Sequence, residues 1–198
     1  MTIKLVGSSS GSVSLQAPAS TTGGANRTLT LPDINSTVDT IGRAGNILQV
    51  KHAQKTDSFS TSSASWNNVP SLQANITTTN ASNQVLVQVN ISGLNGTTTG
   101  SGAAVQRTTS GSSSFIGLAT GYGNRQNISG AELYNDRDDV FMTSSFTILD
   151  TPGAGTHTYT VMVHPKSQTL YVNKSETDGD NGTYSRGTSD ITLWEIAV

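Results

Sequence analysis

The three histidines are the first residues to consider for metal or acid–base chemistry, and their spacing argues against a shared site. They are His52, His157 and His164. His157 and His164 fall in one predicted strand at an odd separation, so their side chains point to opposite faces. No spacing suggests a Ser-His-Asp triad, although spacing alone does not exclude one. We therefore predict no catalytic residue, no histidine metal ligand and no cofactor.

Two acidic clusters, at 136–139 and 178–182, could supply oxygen ligands to a cation. Carboxylate and amide oxygens are the ligands that calcium prefers. The second cluster lacks the ligand order of a helix-loop-helix calcium site, because Gly182 stands where an Asp or Asn belongs. Asp-Gly and Asn-Gly pairs also favour tight turns. The turn is the preferred interpretation, whereas calcium binding stays open and no glycosidase pair can be identified from the sequence.

A long polar region in the middle of the chain carries the side chains best suited to recognition. Aromatic faces beside amide and guanidinium groups suit contact with a carbohydrate or a protein. The alternative is that the tyrosines cover the bases of loops and the arginine is solvated. We predict receptor-contact loops at Tyr122, Asn124, Arg125 and Tyr134.

The clearest predicted strand of the domain that must support these loops covers residues 84–91. Its apolar residues Val85, Val87, Val89 and Ile91 alternate with Leu86, Gln88 and Asn90, which places four β-branched residues on one face of an extended strand. A second alternating run, 72–76, precedes it across a polar turn. Two such runs predict an antiparallel hairpin.

Further strands follow, and we find no helical periodicity. Tyr159, Val161 and Val163 share one face of a strand at 156–164, and an alternating run closes the chain at 191–198. No stretch repeats apolar residues at the spacing of a helix over three turns. The predicted fold is all-β, an antiparallel β-sandwich or jelly roll.

Residues 1–42 differ from the rest of the chain. They contain thin alternating strands, each with few apolar residues, among them Val13, Leu15, Leu29 and Leu31. A sheet this thin is marginal in isolation. We predict a docking and intertwining β arm or stalk at 1–42 and a sandwich domain at 43–198; the alternative for 1–42 is a flexible arm.

Composition restricts the partners of this protein. Only 33% of the residues are hydrophobic and 12% are charged, so burial between copies of the chain is expected to complete the core. A net charge of −2 without a basic block argues against nucleic-acid binding. No apolar run predicts a membrane span or a signal peptide, and the lack of cysteine excludes disulfides.

Several segments together resemble the structural proteins of tailed-phage virions, in particular cyanophage-like fibre and decoration proteins. The N-terminal part is similar to their repeated element Ser-Val-Thr-Leu-x-Ala-Pro followed by Thr-Leu-Thr-Leu-Pro, and the later segments are similar to a domain of the same proteins. The matching segments are 11–18, 27–32, 45–50, 56–61, 146–152, 171–174 and 186–196.

This resemblance implies a trimeric, non-enzymatic β protein that is assembled in the host cytoplasm and displayed on the exterior of the virion. The first hypothesis is a short tail fibre or fibre tip that adsorbs to a glycan or protein of the host surface. Its residues 1–42 would contact other virion proteins. The alternative is a capsid decoration or cement protein at three-fold positions of the head. A polysaccharide depolymerase is the least favoured hypothesis.

Overall fold

The chain forms two compact units, Met1–Asp39 and Thr40–Val198. The computed structural model describes residues 2–6, 12–16, 43–93, 101–121, 123–130, 139–140, 142–166 and 168–198. In the first unit, strand β1 (Thr2–Val6) pairs with β2 (Ser12–Gln16) as an antiparallel hairpin. Val13 and Leu15 lie in β2, whereas Leu29 and Leu31 lie outside the described residues.

The second unit is built from antiparallel strands, and its described residues contain no helix. One sheet has the order β5-β10-β7-β8, the other has the order β3-β12-β6-β9, and β4 and β11 form a two-stranded ribbon. The all-β prediction is confirmed in this form. The strands are β3 (Ile47–Lys55), β4 (Phe59–Thr61), β5 (Asn67–Thr78), β6 (Gln84–Ser92), β7 (Gly102–Thr109), β8 (Ser112–Ile116), β9 (Thr143–Asp150), β10 (Gly155–His164), β11 (Leu170–Val172) and β12 (Ser189–Ile196).

One hydrophobic core collects the buried faces of both four-stranded sheets. The alternation in β6 predicts its buried face correctly, because Val85, Val87, Val89 and Ile91 are fully buried. Tyr159, Val161 and Val163 of β10 also lie in this core, as their spacing predicts. The β-branched side chains fill the space between the sheets and fix which face of each strand points inward.

The predicted hairpin between the runs at 72–76 and 84–91 is wrong. β5 pairs with β10 in one sheet, whereas β6 lies between β12 and β9 in the other. The connection from Thr79 to Asn83 therefore crosses from one sheet to the other. Both runs bury one face in the same core. The alternation of apolar residues indicates which face of a strand is buried, but it does not indicate which strand pairs with it in the sheet.

A partly buried polar cluster at the edge of the core links the two sheets. Arg107 of β7 donates from Nη1 to both carboxylate oxygens of Asp150 in β9, at 2.8 and 2.7 Å. The hydroxyl of Tyr159 in β10 donates to Asp150 Oδ2 at 2.8 Å. Burial raises the pKa of Tyr159, and the neighbouring Asp150 carboxylate adds to this effect. The phenol is therefore a fixed donor, and the carboxylate has its hydrogen bonds satisfied.

The outer face of the β3-β12-β6-β9 sheet carries an apolar stripe. Val50, Trp194, Leu86 and Leu149 are successive cross-strand neighbours over all four strands, and we call them the apolar row. Val50 is 50% exposed and Leu149 is 54% exposed. Among the strand residues on this face, all of which the structure describes, Asp190 is the one acidic or basic side chain other than histidine. The apolar row therefore spans the width of the sheet, on a face that is poor in charge.

A buried asparagine joins the ribbon to the sheets. Asn173 has a φ of 62° and is 1% exposed. Its Nδ2 donates to the carbonyls of Lys55 and Asp57 at 3.0 and 2.9 Å, and its Oδ1 accepts from Ser189 Oγ at 2.6 Å. Its backbone lies so close to Gly93 that a Cβ at Gly93 would come within 2.7 Å of Asn173 N.

In the described part of the chain, we find no helical segment with the length and apolar character that crossing a bilayer requires.

Candidate ligand-binding pocket

The loop that carries the predicted contact residues Asn124 and Arg125 is closed at its base by backbone hydrogen bonds. Ala119 N donates to Ile128 O at 3.1 Å. Ser129 N and Gly130 N both donate to the carbonyl of Ala103 in β7, at 3.0 and 3.1 Å. The described residues between 119 and 128 therefore start and end at fixed points beside the sheet.

Small residues allow this loop to pack closely. A Cβ on Gly102 of β7 would clash with the side chain of Ile128, and one on Gly121 would clash with Asn127 Oδ1. Both glycines thus permit a close approach, and a side chain at either position would require Ile128 or Asn127 to move. The loop is held by packing as well as by hydrogen bonds.

An aromatic cluster supports the neighbouring end of β10. The ring centroids of Trp66 and Phe115 are 5.0 Å apart, and those of Trp66 and His164 are 5.4 Å apart with an edge-to-face angle of 71°. All three side chains are half-buried. Edge-to-face contacts of this kind favour one ring orientation, so the imidazole of His164 is held in place.

A pocket of about 520 Å³ lies where the loop meets the end of β10. Its described lining residues come from two separate parts of the chain. Asn124, Arg125 and Gln126 come from the loop, and His164 and Lys166 come from the end of β10 and the turn after it. Asn124 and Arg125 are exposed, whereas Gln126, His164 and Lys166 are half-buried.

The pocket combines cationic side chains with a neutral ring. Burial lowers the pKa of His164 below its ordinary value, and the charge of Lys166 acts in the same direction. His164 is therefore a neutral imidazole at pH 7. The described lining residues include two cations, two amides and no carboxylate.

These groups are suited to binding. The amides of Asn124 and Gln126 each offer a donor and an acceptor, and the guanidinium of Arg125 offers only donors. In the described residues, no group of three or more His, Cys, Asp or Glu side chains could hold a metal ion. What the described arrangement offers is hydrogen bonding and charge for a polar ligand.

The structure brings two of the four predicted contact residues into this pocket. Asn124 and Arg125 line it, whereas Tyr122 and Tyr134 lie outside the described residues. Sequence reasoning did not place His164 and Lys166 at the site. Their spacing in the chain gives no signal of it, because their proximity to the loop arises only when β10 packs beside β7.

The acidic loop at 178–182 has a different organisation. Arg186 donates to Asp178 at 2.8 Å, and this hydrogen bond, with the charges of Arg186 and Lys174, lowers the pKa of Asp178. Thr183 N donates to the side chain of Asn181 at 3.0 Å, which is the geometry of a turn. These contacts favour the turn interpretation, and calcium binding there stays a hypothesis. Of the other cluster, only Asp139 lies in the described part of the chain.

Comparison with known proteins adds no assignment, since no protein-family model matches this chain and a search of curated proteins finds no match either.

Proposed function

We propose that this protein is a non-enzymatic structural protein of a tailed-phage virion, a short tail fibre or fibre tip that adsorbs to the host surface. The observation that carries the proposal is the pocket in which predicted contact residues Asn124 and Arg125 meet His164 and Lys166. The resemblance of the N-terminal and later segments to virion proteins supplies the context. A binding pocket on a rigid β scaffold suits a protein that presents itself outside the particle.

The proposal includes a jelly-roll-like sandwich and a homotrimer. Support for self-association comes from the apolar row, where Val50 and Leu149 are half exposed. Around a three-fold axis the same residues of each copy approach one another, so a face poor in charge can be buried there without repulsion. Burying this row against another copy would remove apolar surface from water.

The N-terminal unit is proposed to dock on other virion proteins. Strands β1 and β2 of this unit form an antiparallel hairpin, and a two-stranded hairpin gains stability from packing against a partner. Deleting 1–42 is expected to abolish incorporation into virions, measured by immunoblotting of purified particles. Incorporation at the wild-type level would refute the docking role.

A capsid decoration protein is the second candidate function. The apolar row favours it, because a broad, charge-poor sheet face suits attachment to a protein lattice. The polysaccharide depolymerase is less favoured, since the described lining of the pocket offers no pair of carboxylates. Release of glycan fragments by the purified protein would revive that hypothesis.

Location in the particle decides between these candidates. Cryo-EM of virions in which this chain carries a label is expected to show the label on the tail. A label at three-fold positions of the head would establish the decoration protein instead. Absence of the chain from purified virions would overturn both.

A further inference from the structure

Two cationic side chains reach one pocket from separate segments. Arg125 comes from the loop and Lys166 follows β10. The exposed guanidinium of Arg125 raises the local affinity of the pocket for an anion. A planar guanidinium in particular matches a carboxylate with two parallel hydrogen bonds. The cationic part of the pocket is therefore suited to a carboxylate.

The amides beside them require more than an anion. Asn124 and Gln126 each carry a carbonyl oxygen that needs a donor. A sulfate dianion offers only acceptors and a hydrogen-phosphate dianion has a single O–H donor, so neither would satisfy both amide oxygens. Sugar hydroxyls donate and accept, and adjacent hydroxyls match both ends of an amide.

The ring of His164 supplies the remaining surface. It is neutral at pH 7 and is held edge-to-face against Trp66. A neutral aromatic ring packs against the C–H face of a sugar. The volume of about 520 Å³ is within the range of small-molecule sites and accommodates one or two sugar rings.

We propose that this pocket binds a carboxylate-bearing sugar of a host-surface polysaccharide, with Arg125 on the carboxylate and Asn124 and Gln126 on the hydroxyls. This inference rests on the proposed adsorption function. An acidic peptide shares the carboxylate, and its backbone amides also donate and accept, but it lacks a sugar ring whose C–H face packs on His164, so the saccharide is favoured.

Calorimetric titration of the full chain tests the ligand class. The probes are trigalacturonic acid, its methyl ester and a hexaglutamate peptide. We expect the acid to bind about tenfold or more tightly than its ester, because esterification removes the charge. Equal affinity for acid and ester, or equal affinity for the peptide, would overturn the proposal.

Substitution tests the site. Arg125→Gln keeps a hydrogen-bonding side chain and removes the charge, so we expect about tenfold weaker binding of trigalacturonic acid. Arg186→Gln is the matched control, since Arg186 pairs with Asp178 outside the pocket. Unchanged affinity in Arg125→Gln, or an equal loss in the control, would contradict the assignment.

Host-cell binding separates this inference from the proposed function. A labelled full chain that binds host cells while no acidic sugar competes would overturn the ligand class and leave adsorption standing. Acidic-sugar binding without cell binding would leave the pocket assignment standing and count against adsorption.

Discussion

At Gly93 the backbone has a conformation that favours glycine and also lies against a neighbour. Gly93 has a φ of 85° and Gly111 has a φ of 83°, but only Gly93 has backbone atoms where a Cβ would stand. We expect Gly111→Ala to lower the free energy of unfolding by about 1 kcal/mol through the positive φ. Gly93→Ala adds a clash with Asn173 and is expected to cost about 2 kcal/mol more.

Urea denaturation of the two alanine variants measures these losses against the wild type. Because the two glycines share nearly the same φ, the difference between the variants isolates the contact with Asn173. Equal losses at both positions would show that this contact carries no cost.

His164 gives the molecule a pH dependence of defined sign. Its pKa is lower in the folded chain than in the unfolded chain, chiefly through burial. The unfolded chain therefore binds more protons on acidification. We expect stability to be unaffected by this group above about pH 6.5 and to fall as the pH drops below that value.

Measuring the free energy of unfolding between about pH 7.5 and 5 tests this expectation. Replacing His164 with Gln is expected to flatten the decline, because the group whose pKa is lowered by burial is removed. An unaltered pH profile in His164→Gln would refute this source of the dependence.

For single residues, the sequence predicts part of the pocket. Asn124 and Arg125 can be found from residue type, because amide and guanidinium groups in a polar loop suit recognition. His164 and Lys166 cannot, because β10 reaches the loop only through its pairing with β7, and that pairing joins segments far apart in the chain. Local pattern carries no information about such contacts.

Among the elements, β6 is the one whose disruption has the clearest outcome. Val87 is fully buried in β6, while its neighbour Gln88 faces outward. Val87→Asp places an unpaired carboxylate in the core, at a cost of several kcal/mol, and is expected to abolish cooperative folding. Gln88→Asp, one residue away, is expected to fold. Circular dichroism during thermal unfolding distinguishes them, and a cooperative transition in Val87→Asp would contradict this interpretation of β6.

The strands were largely predictable, and their pairing was not. The runs from Val85 to Ile91 and from Tyr159 to Val163 indicate their buried faces by alternation, because burial recurs at every second residue. The wrongly predicted hairpin between β5 and β6 shows the limit of this signal. A strand buries the same face whether the next strand in the sequence pairs with it in one sheet or packs against it from the opposite sheet.

For the whole molecule, the apolar row predicts concentration-dependent self-association. Leu149→Lys places a charge in the row and is expected to shift the protein from trimer to monomer. Thr147→Lys is the matched control, since Thr147 is exposed on the same face of β9 in the adjacent row. Light scattering over a dilution series measures the mass. A wild-type protein that is monomeric throughout would refute the trimer, and equal behaviour of both variants would contradict the assignment of the contact to the apolar row.

The amino-acid composition predicts self-association only in general terms. The low hydrophobic fraction of 33% indicates that one copy has little apolar material to bury. It does not say which surface is left uncovered. That surface becomes visible only when cross-strand register aligns Val50, Trp194, Leu86 and Leu149.

The position of β12 between β3 and β6 has a consequence for synthesis. The ribosome makes β3 and β6 first, and the strand that joins them emerges after β11. Until then, the nascent chain displays open backbone edges that invite pairing with other chains. Translation that stalls before β12 would thus release a product prone to aggregation, and chaperone protection would be needed most in that interval.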